Sequence, residues 1–377
     1  MFKFSSLFFL FFVACGSSNT TVINNYLQPD ASVPAFGGSS STGGSSNGSQ
    51  TGGTSSSATG GQGNLSTGGS SSVLQGTGGN STSPSNLAGA SGGAPALVTG
   101  PACGTSDASD PINASGGCTP QPLTIPQASL KGPYDSHALC IGDRQYYLQV
   151  NEWGSTAAQS LLYGGGDYYF RITEQNGTSS SGAPTGFPSM FIGANSGHTT
   201  AGSNMPKLVS SLTSVPTTWN WKDNGAVDGV TDAGTNTYNA TYDVWFSTNP
   251  AGEPGTSCPS GGFLMVWLHK PAAAEPIGTG GRATYSGVTV AGIPGTWDVW
   301  VGPNQGCSSV PCISFVRTDI NPAYSMSFDL NLFIKDAVTN RPDTIKDTMY
   351  LTNIFAGFEI WSGGVGLETT SFCADVN

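Results

Sequence analysis

Two carboxylates and a set of aromatic rings carry whatever chemistry this sequence holds. Asp243 lies in the run Tyr242-Asp243-Val244-Trp245-Phe246, and Glu359 in the run Asn353 to Trp361. Successive side chains of a strand point to opposite faces, so each run divides into two sets. Asp243 and Trp245 share one face, opposite Tyr242, Val244 and Phe246. In the second run Ile354, Ala356, Phe358 and Ile360 are uniformly apolar, and their opposites are Asn353, Phe355, Gly357, Glu359 and Trp361. A third run alternates Leu264, Val266 and Leu268 with Phe263, Met265 and Trp267. Each strand thus has one aliphatic face for a core and one face of aromatics, with a carboxylate in two of the three. That second face reads as the floor of a cleft. A carboxyl group there serves as an acid or base, and a flat ring stacks on an apolar ligand face.

The elements that must position these residues are strands. Short runs rich in Tyr, Val, Phe, Trp and Thr recur between Gly, Pro and Asn punctuation, at 145–153, 167–174, 241–247, 263–269, 283–290, 296–301, 314–318, 349–361 and 366–376. Phe328, Leu332, Ile334 and Val338 have near-helical spacing, which predicts one helix over 328–338 that stops near Asn340-Arg341-Pro342. The expected fold class is all-β, a sandwich with one packed helix.

Upstream, the composition changes. From Ser17 to about Val98 the chain is nearly all Gly, Ser, Thr, Asn and Ala. Such a stretch cannot bury enough apolar surface to offset the entropy of ordering it. The expected organisation is a signal segment over residues 1–15, a linker over 16–100 and one folded domain over 101–377. Lys3, the apolar run Leu7 to Val13 and the small Ala14 read as an export signal, too short to span a bilayer. Phe12-Val13-Ala14-Cys15-Gly16 resembles a bacterial lipoprotein cleavage box, which implies lipidation of Cys15; the alternative is an ordinary secretory signal. The expected location is a bacterial cell surface or outer membrane, or the medium, with membrane contact only through the lipid.

The net charge is −11, yet only 9% of residues are charged. No basic stripe is present to neutralise phosphates, which argues against nucleic acid. Neutral surfaces rich in Gly, Asn, Thr and aromatics suit neutral ligands such as polysaccharides. Export makes disulfides the default for Cys103, Cys118, Cys140, Cys258, Cys307, Cys312 and Cys373. Cys307 with Cys312, and Cys103 with Cys118, are close enough in sequence for small bridges, and the odd number predicts one free thiol. No histidine stands near these pairs at metal-ligand spacing, so no metal and no cofactor is expected. His137, His198 and His269 are isolated and read as structural or exposed.

These strands resemble glycoside hydrolase family 12, the β-jelly-roll endoglucanases and xyloglucanases, over Tyr134 to Asn377. The block 350–364, YLTNIFAGFEIWSGG, is similar to the family's YLTSIQAGFEPWQGG, whose Glu is the catalytic acid/base and matches Glu359. Residues 239–246 resemble the family's NxxYDxW strand, with Asp243 at its cleft aspartate as an auxiliary group. Asn151-Glu152-Trp153-Gly154 resembles NxWG, which implies sugar contacts for Asn151 and Trp153. The resemblance implies a jelly-roll sandwich with a concave cleft sheet, and Trp245, Met265, Trp267 and Trp361 as further substrate contacts.

One motif departs. The family's nucleophile strand reads E-[LI]-M-[IV]-W-[LF] and continues to PIG; here it is Phe263-Leu264-Met265-Val266-Trp267-Leu268, at the same spacing from Pro276-Ile277-Gly278. Phe263 therefore stands at the nucleophile position, and Phe355 stands where the family carries Gln. Retaining hydrolysis uses two carboxyls about 5–5.5 Å apart, and phenylalanine has no lone pair to offer an anomeric carbon. Asp243 or Glu275 would have to substitute. The expectation is a protein acting on a β-1,4-glucan (cellulose, xyloglucan or mixed-linkage glucan) with weak or absent hydrolysis; the alternative is a non-catalytic β-glucan-binding protein on the same scaffold.

Overall fold

The computed structural model describes Leu97–Val98 and residues 126–141, 144–165, 168–179, 182–226 and 236–377. The export signal, Cys15, most of the linker, and Cys103 with Cys118 lie outside the described residues.

Two sheets face each other. One has seven strands, in the order Leu97–Val98, Ser325–Asp329, Pro216–Lys222, Glu368–Ala374, Phe170–Gln175, Gln159–Tyr163 and Ala128–Leu130. The other has eleven, and its main path runs Tyr285–Val288, Trp297–Asn304, Val310–Arg317, Gly262–His269, Ala240–Ser247, Tyr350–Gly357, Ser189–Asn195, Arg144–Gln149 and Ser136–Ile141. Nearly all neighbours pair antiparallel, but Gly262–His269 runs parallel to Val310–Arg317. This is the double-sheet sandwich expected from the sequence.

The two-residue period decides what lies between the sheets. Tyr242, Val244, Phe246, Leu264, Val266, Leu268, Ile354 and Ala356 turn inward and pack with Trp219, Trp221, Phe170 and Phe372 of the opposing sheet. The aromatic edges meet at close range: Trp219 lies 5.6 Å and Phe372 6.1 Å from the Tyr242 ring, both edge-on. A core of this kind supplies most of the driving force for folding, at about 25 cal/mol per Å² of apolar surface removed from water. Gly193 marks a tight approach of two strands. Its φ is +110°, and a Cβ there would meet the carbonyl oxygen of Thr352 at 2.2 Å, so a side chain would push Ser189–Asn195 away from its neighbour.

The helix is Asn331–Asn340 and starts later than the spacing predicts. Phe328 belongs to the strand Ser325–Asp329, which pairs residue by residue with Pro216–Lys222. Met326 and Phe328 are both fully buried, so their two-residue alternation governs that stretch and the helical spacing begins beyond it. The Asp329 carboxylate accepts from the Asn331 amide at 3.0 Å and satisfies an opening N–H. Phe333 anchors the helix edge-on to Trp297 at 4.9 Å, and Pro342 follows its end. Among the described residues no helix is long and apolar enough to cross a membrane.

The expected Cys307–Cys312 bridge does not form. Cys307 bonds Cys258 across a separation of 49 residues, and Cys140 and Cys373 are also disulfide-bonded. Cys312 is buried and outside the disulfides, with its sulfur 3.8 Å from the Ser314 hydroxyl. Proximity in sequence misled here, because Cys312 lies in the strand Val310–Arg317 directly beside Phe263, whereas Cys307 lies in the turn before it.

Candidate functional site

The outward face of the eleven-stranded sheet carries a second, separate packed cluster. It contains Phe187, Phe191, Trp245, Phe263, Met265, Trp267, Trp300, Phe355 and Trp361. The alternation read from the sequence therefore holds: the aliphatic sets face the core and these rings the other side.

The register orders this face into rows. Trp245 stands opposite Phe263 on one neighbouring strand and Asn353 on the other; Asp243 stands opposite Met265 and Phe355; Thr241 stands opposite Trp267 and Gly357. Beyond Gly357 the strand breaks, and Glu359 meets Asn239 instead, whose amide N–H donates to the Glu359 carbonyl at 3.0 Å. Asp243 thus lies one row from Phe263, and the Thr241 row separates it from Glu359.

Asp243 has no exposed surface, and its Oδ1 accepts from the Thr241 hydroxyl at 3.2 Å. Glu359 is equally buried. The Asn239 side chain clamps it twice, donating from Nδ2 to the Glu359 carboxylate and accepting the Glu359 amide at 2.9 Å. Phe263, also fully buried, stacks on Trp245 with centroids 4.2 Å apart and planes 17° apart. Glu275 is half exposed and forms an ion pair with Lys270 at 3.1 Å, an engagement that faces solvent.

A small cleft opens beside this arrangement, lined by Tyr134, Ser136, Gln149, Asn151, Phe187, Asn195, Ser196, His198, Asp243, Trp245, Ser257 and Phe355. Of the residues singled out in the sequence, Asn151, Asp243, Trp245 and Phe355 come together in it. Trp153 is half-buried and packs against the aromatic cluster. Met265 and Trp267 are fully buried and Trp361 nearly so, with its indole N–H donating to the Gly182 carbonyl at 2.7 Å. Glu359 and Phe263 are not among the lining residues.

His198 corrects the reading of it as an isolated residue. Its Nε2 lies 3.2 Å from the Ser136 hydroxyl, and its ring lies 4.6 Å from that of Tyr147. Ser136, Gln149, Asn195 and Ser257 were not legible, because polar residues at strand ends and in loops carry no periodicity; what joins them is the folding of distant segments onto one rim.

Glu152, between Asn151 and Trp153, is 4% exposed, and its Oε1 makes no hydrogen bond. Burial pushes its carboxyl up to about 7, because the ionised form loses hydration that nothing replaces.

Comparison with known proteins fits this geometry. The family model for glycosyl hydrolase family 12 matches residues 144–377. The probable cellulase Cel12b of Mycobacterium tuberculosis is 32% identical over 177 residues, covering 47% of this chain and 99% of that protein. The xyloglucan-specific endo-β-1,4-glucanase A of Emericella nidulans is 31% identical over 43% of this chain, which spans 58% of the fungal protein's length. The structure of endoglucanase cel12A from Rhodothermus marinus superposes with a TM-score of 0.54 at 30% identity, covering 66% of this chain and 99% of that one.

Proposed function

The chain belongs to glycosyl hydrolase family 12, and on that premise we propose that it is a β-glucan-binding protein whose cleft holds the sugar without cleaving it efficiently. The observation that carries this reading is Phe263, packed face to face on Trp245 at 4.2 Å at the position where the family resemblance puts the attacking carboxylate. A ring there has no lone pair with which to attack the anomeric carbon.

The surroundings support the same reading. Glu359 is fully buried and held at both its amide and its carboxylate by Asn239, which suits a structural anchor. Asp243 is the one carboxylate among the residues that line the cleft. A single acid or base contributes roughly 10²–10⁴-fold, far below what an efficient glycosidase needs. Binding demands less. Trp245 and Phe355 offer apolar surface to a sugar face, while Gln149, Asn151, Ser136 and Asn195 offer neutral donors and acceptors to its hydroxyls.

Calorimetry with soluble β-1,4-glucan oligosaccharides is expected to show binding that Trp245→Ala abolishes, and reducing-sugar release is expected to stay at the buffer blank. Release above the blank by wild type, lost in Glu359→Gln, would overturn the proposal in favour of an active hydrolase. Export through the N-terminal signal, with a lipid on Cys15 and the Gly/Ser-rich stretch as tether, would hold this cleft off a cell surface. Cys15→Ala is then expected to move the protein from the membrane fraction to the soluble fraction.

A further inference from the structure

The part of the cleft lining that carries Asn195, Ser196 and His198 is a hairpin at the end of a strand. Ala194 pairs with Thr199 and Asn195 with His198, and the turn between them, Ser196-Gly197, has φ values of 49° and 85°. Two positive φ values in a two-residue turn are those of a type I′ hairpin, which matches the twist of its strands and holds its own shape. The aim of such a unit is set where it is attached.

The attachment is a break in the sheet. The ladder between Ser189–Asn195 and Tyr350–Gly357 ends at Gly193 opposite Asn353, and Tyr350 and Leu351 pair with Lys207–Leu208 instead. Gly193 turns the chain at φ +110°. Thr200 closes the bend: its amide donates to the Gly193 carbonyl at 2.8 Å, and its hydroxyl accepts the Gly193 amide at 2.7 Å. The next residue, Ala194, is held by a side chain. Asn353 Nδ2 donates to the Ala194 carbonyl at 2.7 Å.

Asn353 has no exposed surface, and its Oδ1 is buried without a hydrogen bond. A carbonyl oxygen only accepts, so the amide nitrogen must face Ala194 and the amide oxygen is left over. A buried acceptor without a partner is costly. Among the described residues the Ala194 bond is the one hydrogen bond this side chain makes. In its row Asn353 lies between Gly193 and Trp245, at the foot of the hairpin. The tip is braced separately: the Ser196 amide donates to the Thr256 carbonyl at 3.1 Å, and that of Gly197 to Pro254 at 2.8 Å.

We propose that Asn353 is a positioning residue of this cleft: by fixing the Ala194 carbonyl, its amide sets where Asn195, Ser196 and His198 meet a bound sugar chain. The inference rests on the glucan-binding reading above. Asn353 is not among the lining residues and acts through the hairpin. With foot and tip both held, the hairpin keeps its distance from Ser136, whose hydroxyl lies 3.2 Å from His198 Nε2. Without the Asn353 bond the bend at Gly193 is free to change, and that placement is lost. Binding groups need to be held within about 0.5 Å of their productive geometry by the residues behind them, and Asn353 supplies that support here.

The test uses the full-length protein with Asn353→Ser, which shortens the side chain to the residue that the resembling motif carries there. Asn353→Asp, which keeps the size and loses the donor, is expected to act in the same direction. Amide hydrogen exchange needs no ligand. The bonded amides of Gly193, Ser196, Gly197 and Thr200 are expected to exchange faster, and those of Ala240–Ser247 at the wild-type rate. Calorimetry with the β-1,4-glucan tetrasaccharide is expected to show affinity lower by about threefold to tenfold, the range for one lost neutral hydrogen bond. Double-mutant cycles separate positioning from general support. The loss is expected to shrink when Asn195→Ala has already removed a hairpin contact, and to persist within about twofold beside Asn151→Ala, which lies outside the hairpin. An affinity unchanged by Asn353→Ser overturns the proposal, as does unchanged exchange in the hairpin or an equal loss in both cycles. Faster exchange throughout Ala240–Ser247 with a lowered urea midpoint overturns it too, since Asn353 would then merely support the fold. Silence of the wild type with the tetrasaccharide overturns the glucan-binding reading itself, while the exchange rates still decide whether Asn353 holds the hairpin.

Discussion

Replacing Phe263 with glutamate tests whether the ring is a packed structural element or a trivial loss of one catalytic group. Phe263 has no exposed surface and lies between Trp245 and Cys312 in its row. Removing the ring forfeits burial worth about 1.5–3 kcal/mol and an aromatic pair worth about 0.5–1.5 kcal/mol. The incoming carboxyl then sits among apolar side chains, diagonal to Asp243, and burial raises its pKa in the folded state. A raised folded pKa gives a definite sign. Below the unfolded-state value the group is neutral in both states and costs nothing further; as pH rises toward the folded value the unfolded chain ionises first, and stability falls. We therefore expect Phe263→Glu to lose about 2–4 kcal/mol at acid pH from packing alone, and to lose more on going to neutral pH relative to wild type. Urea denaturation at pH 4 and pH 7, read for a change in midpoint at constant slope, measures both parts. Phe263→Leu, which keeps the apolar contact, should retain most of the stability. A Phe263→Glu protein as stable as wild type at pH 7 would refute the packing described for that ring. So would efficient glucan hydrolysis by the folded variant, since it would require an open floor at a position that is closed.

Glu152→Gln should flatten the pH dependence of stability: with the native carboxyl near 7, wild type is expected to lose up to ~3 kcal/mol as pH rises from 4.5 to 7, and urea midpoints across that range would show it. Asn239→Ala breaks two hydrogen bonds to the buried Glu359, an expected cost of roughly 1–3 kcal/mol measurable by thermal unfolding. Opening the Cys258–Cys307 bond, which spans 49 residues, is expected to cost about 4 kcal/mol by chain entropy. Cys258→Ser should in addition weaken oligosaccharide binding, because Ser257 loses its neighbouring anchor.

Much of the molecule is written in local periodicity. The alternation of Tyr242, Val244 and Phe246 with Asp243 and Trp245, and of Leu264, Val266 and Leu268 with Phe263, Met265 and Trp267, separates the core face from the cleft face, and both sets lie where that alternation puts them. The pleat has a period of two whatever the strand pairs with, so side assignment needs no knowledge of the partner. The block 350–364 around Glu359 likewise carries the family resemblance in the chain alone.

What the sequence could not decide is which residues of the cleft face remain open. Met265, Trp267 and Trp245 look equivalent as a pattern, but the first two have no exposed surface while Trp245, itself 2% exposed, borders the cleft. Accessibility depends on segments far apart in the chain meeting over one spot, and no local pattern encodes that meeting. The same holds for the pairing of Cys307 with Cys258 and for the Ser136–His198 contact, 62 residues apart. Phe263 shows the division most clearly. Its place where the family resemblance puts a carboxylate is legible in the sequence, but only the tertiary structure shows that the ring is buried and stacked on Trp245.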